Sequence, residues 1–316
     1  MLPISPACQL ETQPREQRWL VEELWADQAV GIIGGEPKCC KSFMALSLGV
    51  AVAAGKPCFG RFAVPTAGRV LLYPAEDALP TVRRRLEGIC AVQGIDFQKL
   101  PFWVITAPRF QLDVQSDRAE LKETIEKLKP SLLILDPFVR LHTVDENASG
   151  EVAKLLQHLR YLQRTYRLAV ALVHHAKKGA GLKRPGQALR GSSEFHAWGD
   201  SNLYLTRSDD VGVRLTIEHR SEKAHAPLAL RLRACGDTAH LEIVQSAPSQ
   251  PTSGLSPEQR VIQALSASAG PLRVGALRER AALRNQTVVA TIADLLGRGV
   301  IQNTSNGYRL VTTSPE

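Results

Sequence analysis

Continuous apolar runs alternate with amphipathic segments along residues 28 to 175. The apolar runs are short and rich in Val, Ile and Leu, which is typical of strands that are buried on both faces. They lie at residues 29–35, 68–77, 101–107, 131–137 and 168–175. The segments with helical patterns lie between them, at residues 41–55, 79–94, 117–130 and 150–166. This alternation predicts an α/β fold in which a mostly parallel sheet carries helices on both faces.

The pattern changes after residue 200, where apolar and polar residues alternate in short runs. The runs are "SNLYLTR", "GVRLTIEHR", "LALRLRA" and "HLEIVQ". Such period-two alternation predicts antiparallel strands added to the sheet. A stretch rich in Ser, Pro and Gly follows at 246–256 and reads as a linker. The sequence therefore predicts a large domain at 1–245 and a small one at 257–316.

The small domain has signals for three helices and a hairpin. Ser256 is a candidate N-cap with Pro257 at the first helical position, and Asn306–Gly307 is a tight-turn pair. Three helices followed by a hairpin resemble a winged helix. In that arrangement the third helix enters a major groove through Asn285, Gln286 and Thr287, with Arg284 near phosphate. Since many winged helices bind proteins instead, both duplex DNA and a protein partner remain open.

Charge and cysteine content narrow the function classes. The formal net charge is +8 and the sequence pI is about 9.3, which favours a polyanionic partner such as nucleic acid. The six cysteines contain no C-x-x-C pair, so neither a zinc site nor a dithiol redox site is indicated. The cysteines are expected to be reduced thiols. The N-terminus shows no signal-peptide pattern, and the longest apolar stretch is too short to span a bilayer. These features predict a cytoplasmic protein with no membrane contact.

The segment "GGEPKCCKS" nearly matches the phosphate-binding pattern G-x-x-x-x-G-K-S/T. A glycine turn between a strand and a helix presents backbone N–H groups to phosphate, the lysine reaches the β- and γ-phosphates, and the hydroxyl binds Mg²⁺. The expected nucleotide-binding residues are Gly35, Glu36, Pro37, Lys38, Cys39, Cys40, Lys41, Ser42 and Phe43. A chance match and a metal site at the paired cysteines are the alternatives.

Cys40 stands where the pattern has its second glycine. We expect a small residue that tolerates the first turn of the helix to suffice there. The amides at the start of the helix are expected to lower the pKa of the Cys40 thiol and raise its reactivity.

Acids and a histidine follow three other predicted strands. Glu76 comes after the second strand, Asp136 ends the fourth, and His175, with His174 beside it, ends the fifth. Because ligands of parallel sheets lie at the carboxyl ends of the strands, these side chains are expected to meet the phosphate loop.

These motifs together resemble the RecA/DnaB-type P-loop ATPases, and most closely the plasmid RepA-type hexameric replicative helicases. The resemblance covers residues 15 to 235 and rests on the phosphate loop, "VLLYPAED", "LLILDPFVRLHTVDENASGE", "LVHHAKK" and "LRGSS". It implies a RecA-like core that binds ATP and Mg²⁺ and assembles as a homo-oligomer, a hexameric ring.

The resemblance also assigns roles. Glu76 would be the catalytic base, Asp136 the acid that holds Mg²⁺ through water, and His175 the γ-phosphate sensor. A basic finger from the neighbouring subunit would be Arg220 or Lys223, with Arg207 as a further candidate.

A basic segment follows the last parallel strand. It contains Lys177, Lys178, Lys183, Arg184 and Arg190. Such a cationic loop binds phosphates without reading sequence, and in RecA-like rings this position faces single-stranded DNA. A solvated surface loop is the alternative.

The combined expectation is an ATP-dependent, ring-forming DNA helicase or translocase that acts in replication or processing of plasmid, phage or mobile-element DNA. The alternatives are a non-translocating, ATP-gated DNA-binding regulator or loader and a recombinase-like filament. A nucleotide kinase is disfavoured by the basic loop and the small C-terminal domain.

Overall fold

The computed structural model describes residues 2–9, 19–146, 148–175, 194–208, 212–220, 225–244, 256–268, 270–281, 283 and 285–311. The chain divides into two compact units, Met1–Val244 and Gln245–Glu316. No helix in these described ranges combines the length and apolar character needed to cross a membrane.

Within the described part of the first unit, nine strands form one sheet in the order β11-β10-β9-β8-β3-β7-β6-β4-β5. Two short strands, β1 (Trp19–Val21) and β2 (Trp25–Ala26), pair separately. The strands of the main sheet are β3 (Val30–Gly35), β4 (Val70–Pro74), β5 (Phe102–Val104), β6 (Leu132–Asp136), β7 (Ala169–His175), β8 (Ser201–Ser208), β9 (Gly212–His219), β10 (Leu228–Cys235) and β11 (Thr238–Ile243). The helices are α1 (Lys41–Ala54), α2 (Leu79–Val92), α3 (Gln115–Leu128), α4 (Ser149–Tyr166) and α5 (Glu194–Trp198). This arrangement confirms the predicted α/β fold.

The prediction that the strands after residue 200 are antiparallel additions to the sheet is wrong for β8. β8 runs parallel to β3, with Ile33 opposite Leu203, while β9, β10 and β11 add antiparallel strands beyond it. The reason is the long connection after β7, since a crossover of a dozen or more residues returns the chain to the start of the sheet. Period-two alternation alone does not distinguish the two directions.

Two hydrophobic clusters cover the two faces of the sheet. α1 is apolar on nearly all sides because it lies between the sheet, α2 and β11, and most of its residues are buried. The close approach of α1 to Phe102 requires a glycine at the centre of the helix, since a Cβ on Gly49 would lie 2.7 Å from the Phe102 ring. This packing fixes the N-terminus of α1 against the sheet.

The register of the parallel strands defines one functional edge. Gly35 lies opposite His175, and Pro74 lies opposite Asp136. The segments that follow β3, β4, β6 and β7 therefore converge at the carboxyl edge of the sheet, as predicted.

The hairpin β10–β11 packs against α2. A Cβ on Gly88 of α2 would lie 2.5 Å from the Thr238 Cβ at the hairpin turn. The absence of a side chain at Gly88 thus lets the hairpin approach the helix closely.

The described part of the second unit contains three helices and a hairpin. They are α6 (Pro257–Ser266), α7 (Val274–Ala281), α8 (Asn285–Gly297), β12 (Ile301–Thr304) and β13 (Gly307–Leu310), and they have a core of their own. The predicted N-cap is confirmed: the Ser256 hydroxyl accepts from the Gln259 N–H at 3.2 Å, and the Gln259 side chain accepts from the Ser256 N–H at 2.8 Å. Pro257 occupies the first position of α6.

Candidate active site

The loop between β3 and α1 begins at a glycine that nothing else can replace. A Cβ on Gly35 would lie 2.3 Å from the Leu205 carbonyl oxygen and 2.6 Å from the Cys39 sulfur. Cys39 is fully buried, and its thiol donates to the Glu36 carbonyl at 2.8 Å. Burial raises the pKa of the Cys39 thiol. This cysteine is therefore a packed part of the loop.

Cys40 is the N-cap of α1 in the left-handed region, with φ 66° and ψ 25°. The expectation that it need only tolerate the first helical turn is therefore wrong, because this conformation favours glycine. The expected thiol chemistry is also wrong. Burial raises the pKa of the Cys40 thiol, and the nearby cations Arg207 and Lys41 offset this only in part.

The alternative of a metal site at the paired cysteines finds no support in the described residues. No group of three or more potential His, Cys, Asp or Glu ligands occurs in the part of the chain that the structure describes. Cys39 instead packs inside the loop, and Cys40 is the N-cap of α1.

Lys41 is the buried cation of the loop. Its amine donates to the Glu36 carbonyl at 2.8 Å, and only 6% of the residue is exposed. Burial lowers the pKa of Lys41. An anion at the loop would relieve this desolvation, so the lysine, together with the amides at the α1 N-terminus, fits a phosphate group.

Ser42 and Asp136 meet at the start of α1. Ser42 lies beside the Asp136 carboxyl group, which is buried at the end of β6. Burial raises the pKa of Asp136 to about 6, and the neighbouring Asp77 adds to the effect. A hydroxyl group beside a carboxylate whose negative charge is only partly balanced suits a divalent cation such as Mg²⁺, which prefers oxygen ligands.

Glu76 lies two residues beyond β4 with its carboxylate 3.6 Å from the Arg140 guanidinium. Both side chains are more than half exposed, at 54% and 61%, so the pair is solvent-screened and weak. Asp77, the next residue, forms an ion pair with Arg85 of α2. Of the two adjacent acids, Glu76 thus has the longer and more exposed ion pair.

The two histidines that end β7 lie on opposite faces of the sheet. His175 lines the same cavity as Lys41 and Asp136. His174 is buried on the other face, where its ring stacks on Phe195 at 4.2 Å and its Nδ1 lies 3.7 Å from Glu146. Because strand residues alternate, only His175 faces the phosphate loop.

A cavity of about 320 Å³ joins these groups. Its walls come from the loop, Glu76, Asp77, Asp136 and His175. It is also lined by residues that the sequence analysis did not single out as site residues, among them Arg85 of α2 and Leu232 of β10. The sequence does not indicate that these two residues line a cavity, because Arg85 is the last of three consecutive arginines and Leu232 is one of three alternating leucines.

The basic-finger candidates lie at different edges. The Arg207 guanidinium donates to the Lys38 carbonyl of its own loop at 3.3 Å. Arg220 lies 3.3 Å from Asp200, whose backbone N–H bonds to the Val30 carbonyl at the start of β3. Arg220 is therefore at the amino edge, away from its own phosphate loop, while Arg207 is beside that loop.

Several expected residues lie outside the described residues. They are Lys223 and the basic residues Lys177, Lys178, Lys183, Arg184 and Arg190. Their proposed roles remain predictions.

Comparison with known proteins gives a family and a fold. The sequence profile of the AAA domain family matches residues 2–181, more than half of the 316 residues. The crystal structure of the RadB recombinase is similar with a TM-score of 0.50 and 17% identity, over 69% of this chain and 92% of that chain. A KaiC-like protein of the archaeon Pyrococcus horikoshii is similar with a TM-score of 0.49 and 12% identity, over 71% of this chain and 93% of that one. The family match and the likeness to RadB agree with the predicted RecA-like P-loop core.

Proposed function

The chain belongs to the AAA domain family, and on that premise we propose that it hydrolyses ATP and couples hydrolysis to movement along DNA. The proposed protein is a ring-forming helicase or translocase similar to the RepA and DnaB types, acting on plasmid, phage or mobile-element DNA. One observation supports the proposed ATP hydrolysis. Four side chains line one cavity at the carboxyl edge of the sheet, namely Lys41, Ser42, Asp136 and Glu76. The net charge of +8 and the motif resemblance support the proposed movement along DNA.

The phosphate loop would bind ATP through groups that are already oriented. The Lys41 amine would exchange the Glu36 carbonyl for phosphate oxygens, and the α1 amides would donate to them. Ser42 and Asp136 would hold Mg²⁺, Asp136 through water. When bound, Mg²⁺ neutralises charge on the β- and γ-phosphates.

Glu76 is the proposed base because it is close to the cavity and lacks a tight counter-ion. A carboxylate there can accept a proton from the attacking water. The Arg140 guanidinium at 3.6 Å limits where the carboxylate points without neutralising it fully. His175, at the end of β7, would bond to the γ-phosphate and sense its loss.

The position of Arg220 supports the proposal that the site is shared between subunits. At the amino edge this residue is remote from its own phosphate loop, so in this proposal it serves a neighbour's loop within a homo-oligomeric, hexameric ring. Lys223 is the second proposed finger.

The proposed DNA contacts lie in two places. Lys177, Lys178, Lys183, Arg184 and Arg190 would hold single-stranded DNA by charge. The second unit, proposed as a winged helix, would bind duplex DNA or a protein partner. Truncation after Val244 should leave basal ATPase activity intact and lower affinity for the duplex. An unchanged duplex affinity and salt dependence would favour a protein partner.

The test compares ATP hydrolysis and forked-duplex unwinding by the wild type and by Glu76→Gln. The variant should bind ATP with unchanged affinity and lose turnover and unwinding. Glu87→Gln is the matched control, since Glu87 is an exposed acid on α2 that pairs with Arg83. Wild-type turnover by Glu76→Gln would remove Glu76 as the base. ATP hydrolysis with DNA binding but no strand displacement would favour a regulator or loader, and long helical assemblies a recombinase-like filament.

A further inference from the structure

The last strand of the main sheet has an open hydrogen-bonding edge. β11 lies at the end of the strand order and, in the part of the chain that the structure describes, pairs with β10 alone. The Val244 N–H bonds to the Ala229 carbonyl at 2.9 Å. Because bonding alternates along an antiparallel pair, every second residue back from Val244 also bonds to β10. The residues that direct their backbone N–H and C=O groups to the open edge are therefore Ala239, Leu241 and Ile243.

This edge lacks the usual protection of an unpaired strand. Natural proteins block such edges with Pro, Lys or a bulge, because an unprotected edge is a template for another strand. β11 reads "TAHLEI", and its register with β10 is regular over its whole length. A second strand can therefore pair with β11 without rearrangement of the sheet.

A cavity of about 420 Å³ follows the same edge. Four successive residues of β11, 240 to 243, line it. Because successive side chains of a strand point to opposite faces, a cavity that all four line lies along the edge of the strand and not over one face. Its opposite wall comes from α1, α2 and the connection at residues 56–60.

We propose that this edge and its cavity, the β11 groove (residues 239–243 and the cavity beside them), bind an extended peptide segment of a partner protein as an added strand. The backbone of the peptide would bond to the open N–H and C=O groups, and its alternate side chains would decide which peptides bind. The peptide we infer is apolar at every second position and acidic at the positions between.

The apolar positions follow from the side of the sheet that faces the cavity. Leu241 and Ile243 belong to the hydrophobic cluster that includes α1 and α2, and peptide residues directly opposite them point to the same side. On that side Phe59 packs on the edge of the cluster and Val92 is 48% exposed, and both line the cavity. Apolar side chains at alternate positions of the peptide would cover these surfaces.

The acidic positions follow from the charges on the other face of the hairpin. His240 and Glu242 lie opposite Arg233 and Arg231 of β10. The Arg233 guanidinium pairs with Glu242 at 3.1 Å. Arg231 is exposed and, among the described residues, has no acidic partner. This face therefore has a surplus of positive charge beside the open edge.

Lys56 adds a further positive charge in the cavity wall. Its amine donates to two backbone carbonyls after α2, at 2.9 and 3.1 Å, so its charge is not balanced by a carboxylate there. DNA could also satisfy these cations. It has no backbone N–H and C=O ladder for strand pairing, however, so an acidic peptide matches both the edge and the charge.

The test measures the binding of labelled, end-capped synthetic peptides to the full chain by fluorescence anisotropy. The probe is a peptide of alternating Val and Glu. A peptide of the same composition with its Val and Glu in separate blocks should bind at least about tenfold more weakly, because it cannot present one apolar and one acidic face. A peptide of alternating Val and Lys should be weaker to a similar degree, because its charge has the wrong sign.

Ala239→Pro removes an N–H group from the open edge and none that bonds to β10. It should weaken the Val–Glu peptide about tenfold. Ala239→Ser is the matched control, because it keeps the N–H group, and it should bind the peptide as the wild type does.

Two further variants leave the backbone of β11 unchanged. Val92→Ser should weaken the Val–Glu peptide several-fold, whereas Leu79→Ser should not, because Leu79 is a 43% exposed residue of the same helix that does not line the cavity. Arg231→Glu should weaken the Val–Glu peptide and strengthen the Val–Lys peptide.

Contrary results are distinct from one another. No binding of the Val–Glu peptide, equal binding of the alternating and block peptides, or wild-type binding by Val92→Ser and Arg231→Glu would overturn the β11 groove as a site for an acidic strand. Displacement of the peptide by a DNA oligonucleotide would assign the surface to nucleic acid instead. Self-association of the wild type that Ala239→Pro abolishes and the peptide does not disturb would assign the edge to a second copy of the chain.

Discussion

Cys40 has a backbone conformation that costs a non-glycine residue about 1 kcal/mol. Its φ of 66° at the start of α1 is the reason. Cys40→Gly should therefore raise the free energy of unfolding by about 1 kcal/mol and keep ATPase activity within a few-fold of wild type or improve it. Urea unfolding measures the first effect. Cys40→Ala is the control, since it removes the thiol, keeps the Cβ and should show no gain; an equal gain would mean that the thiol, and not the backbone, is responsible.

Asp136 makes the protein's stability depend on pH. Its folded-state pKa of about 6 lies above the usual value of 3.8, so the unfolded chain loses this proton first as pH rises. The free energy of unfolding contributed by this group therefore falls between about pH 4 and pH 6 and stays low above it.

Asp136→Asn should accordingly stabilise the ligand-free protein by about 2 kcal/mol at pH 7.5 and much less near pH 4. The amide keeps an oxygen for the Ser42 hydroxyl but removes the buried charge. Urea unfolding at the two pH values measures the change. Mg²⁺ should stabilise the wild type and not the variant, and a gain that is independent of pH would contradict a charge effect.

At the scale of elements, the contact between α2 and the hairpin β10–β11 depends on the missing side chain of Gly88. Gly88→Ala should cost about 1–3 kcal/mol of stability by overpacking, because the Thr238 hydroxyl bonds to the Cys235 carbonyl at 2.9 Å and cannot move freely. Thr238→Gly in the same chain should recover part of the loss. A double-mutant cycle of unfolding free energies measures the coupling, and additive effects would show that the two residues do not meet.

The elements themselves were largely predictable from the sequence. Buried parallel strands such as β6 appear as continuous apolar runs, and their carboxyl ends carry Lys41, Asp136 and His175, so one edge was expected. The direction of β8 was not, because an alternating strand reads the same in either direction. Which of the three arginines at 83–85 faces the cavity depends on how α2 packs, and that is a property of the tertiary structure.

The left-handed turn at Cys40 was missed for a related reason. The phosphate-loop pattern has glycine at this position because of the backbone angle, yet the side chain alone suggested that small size was sufficient. The opposite orientations of His174 and His175 follow from strand alternation, but the choice of face required the register with β3.

For the whole molecule, Arg220 tests whether the site is shared between subunits. The Arg220→Ala variant should bind ATP but no longer hydrolyse it. Mixing it with Lys41→Ala protein should restore part of the hydrolysis, because subunits with an intact phosphate loop then lie beside subunits with an intact Arg220. Asp200→Asn controls for the ion pair within the chain, since it weakens the same contact and leaves the Arg220 side chain in place. A loss in Asp200→Asn equal to that in Arg220→Ala, with no recovery in exchanged mixtures, would make Arg220 a structural residue only.

The stacking of His174 on Phe195 has a consequence for insertions between these two residues. Because the two ring centres lie 4.2 Å apart, this contact fixes two points of the chain that are far apart in sequence. The entropic cost of joining two such points grows only with the logarithm of the number of residues between them, and doubling that number adds about 0.6 kcal/mol. A chain with extra residues inserted between His174 and Phe195 should therefore unfold with nearly the same free energy as the wild type.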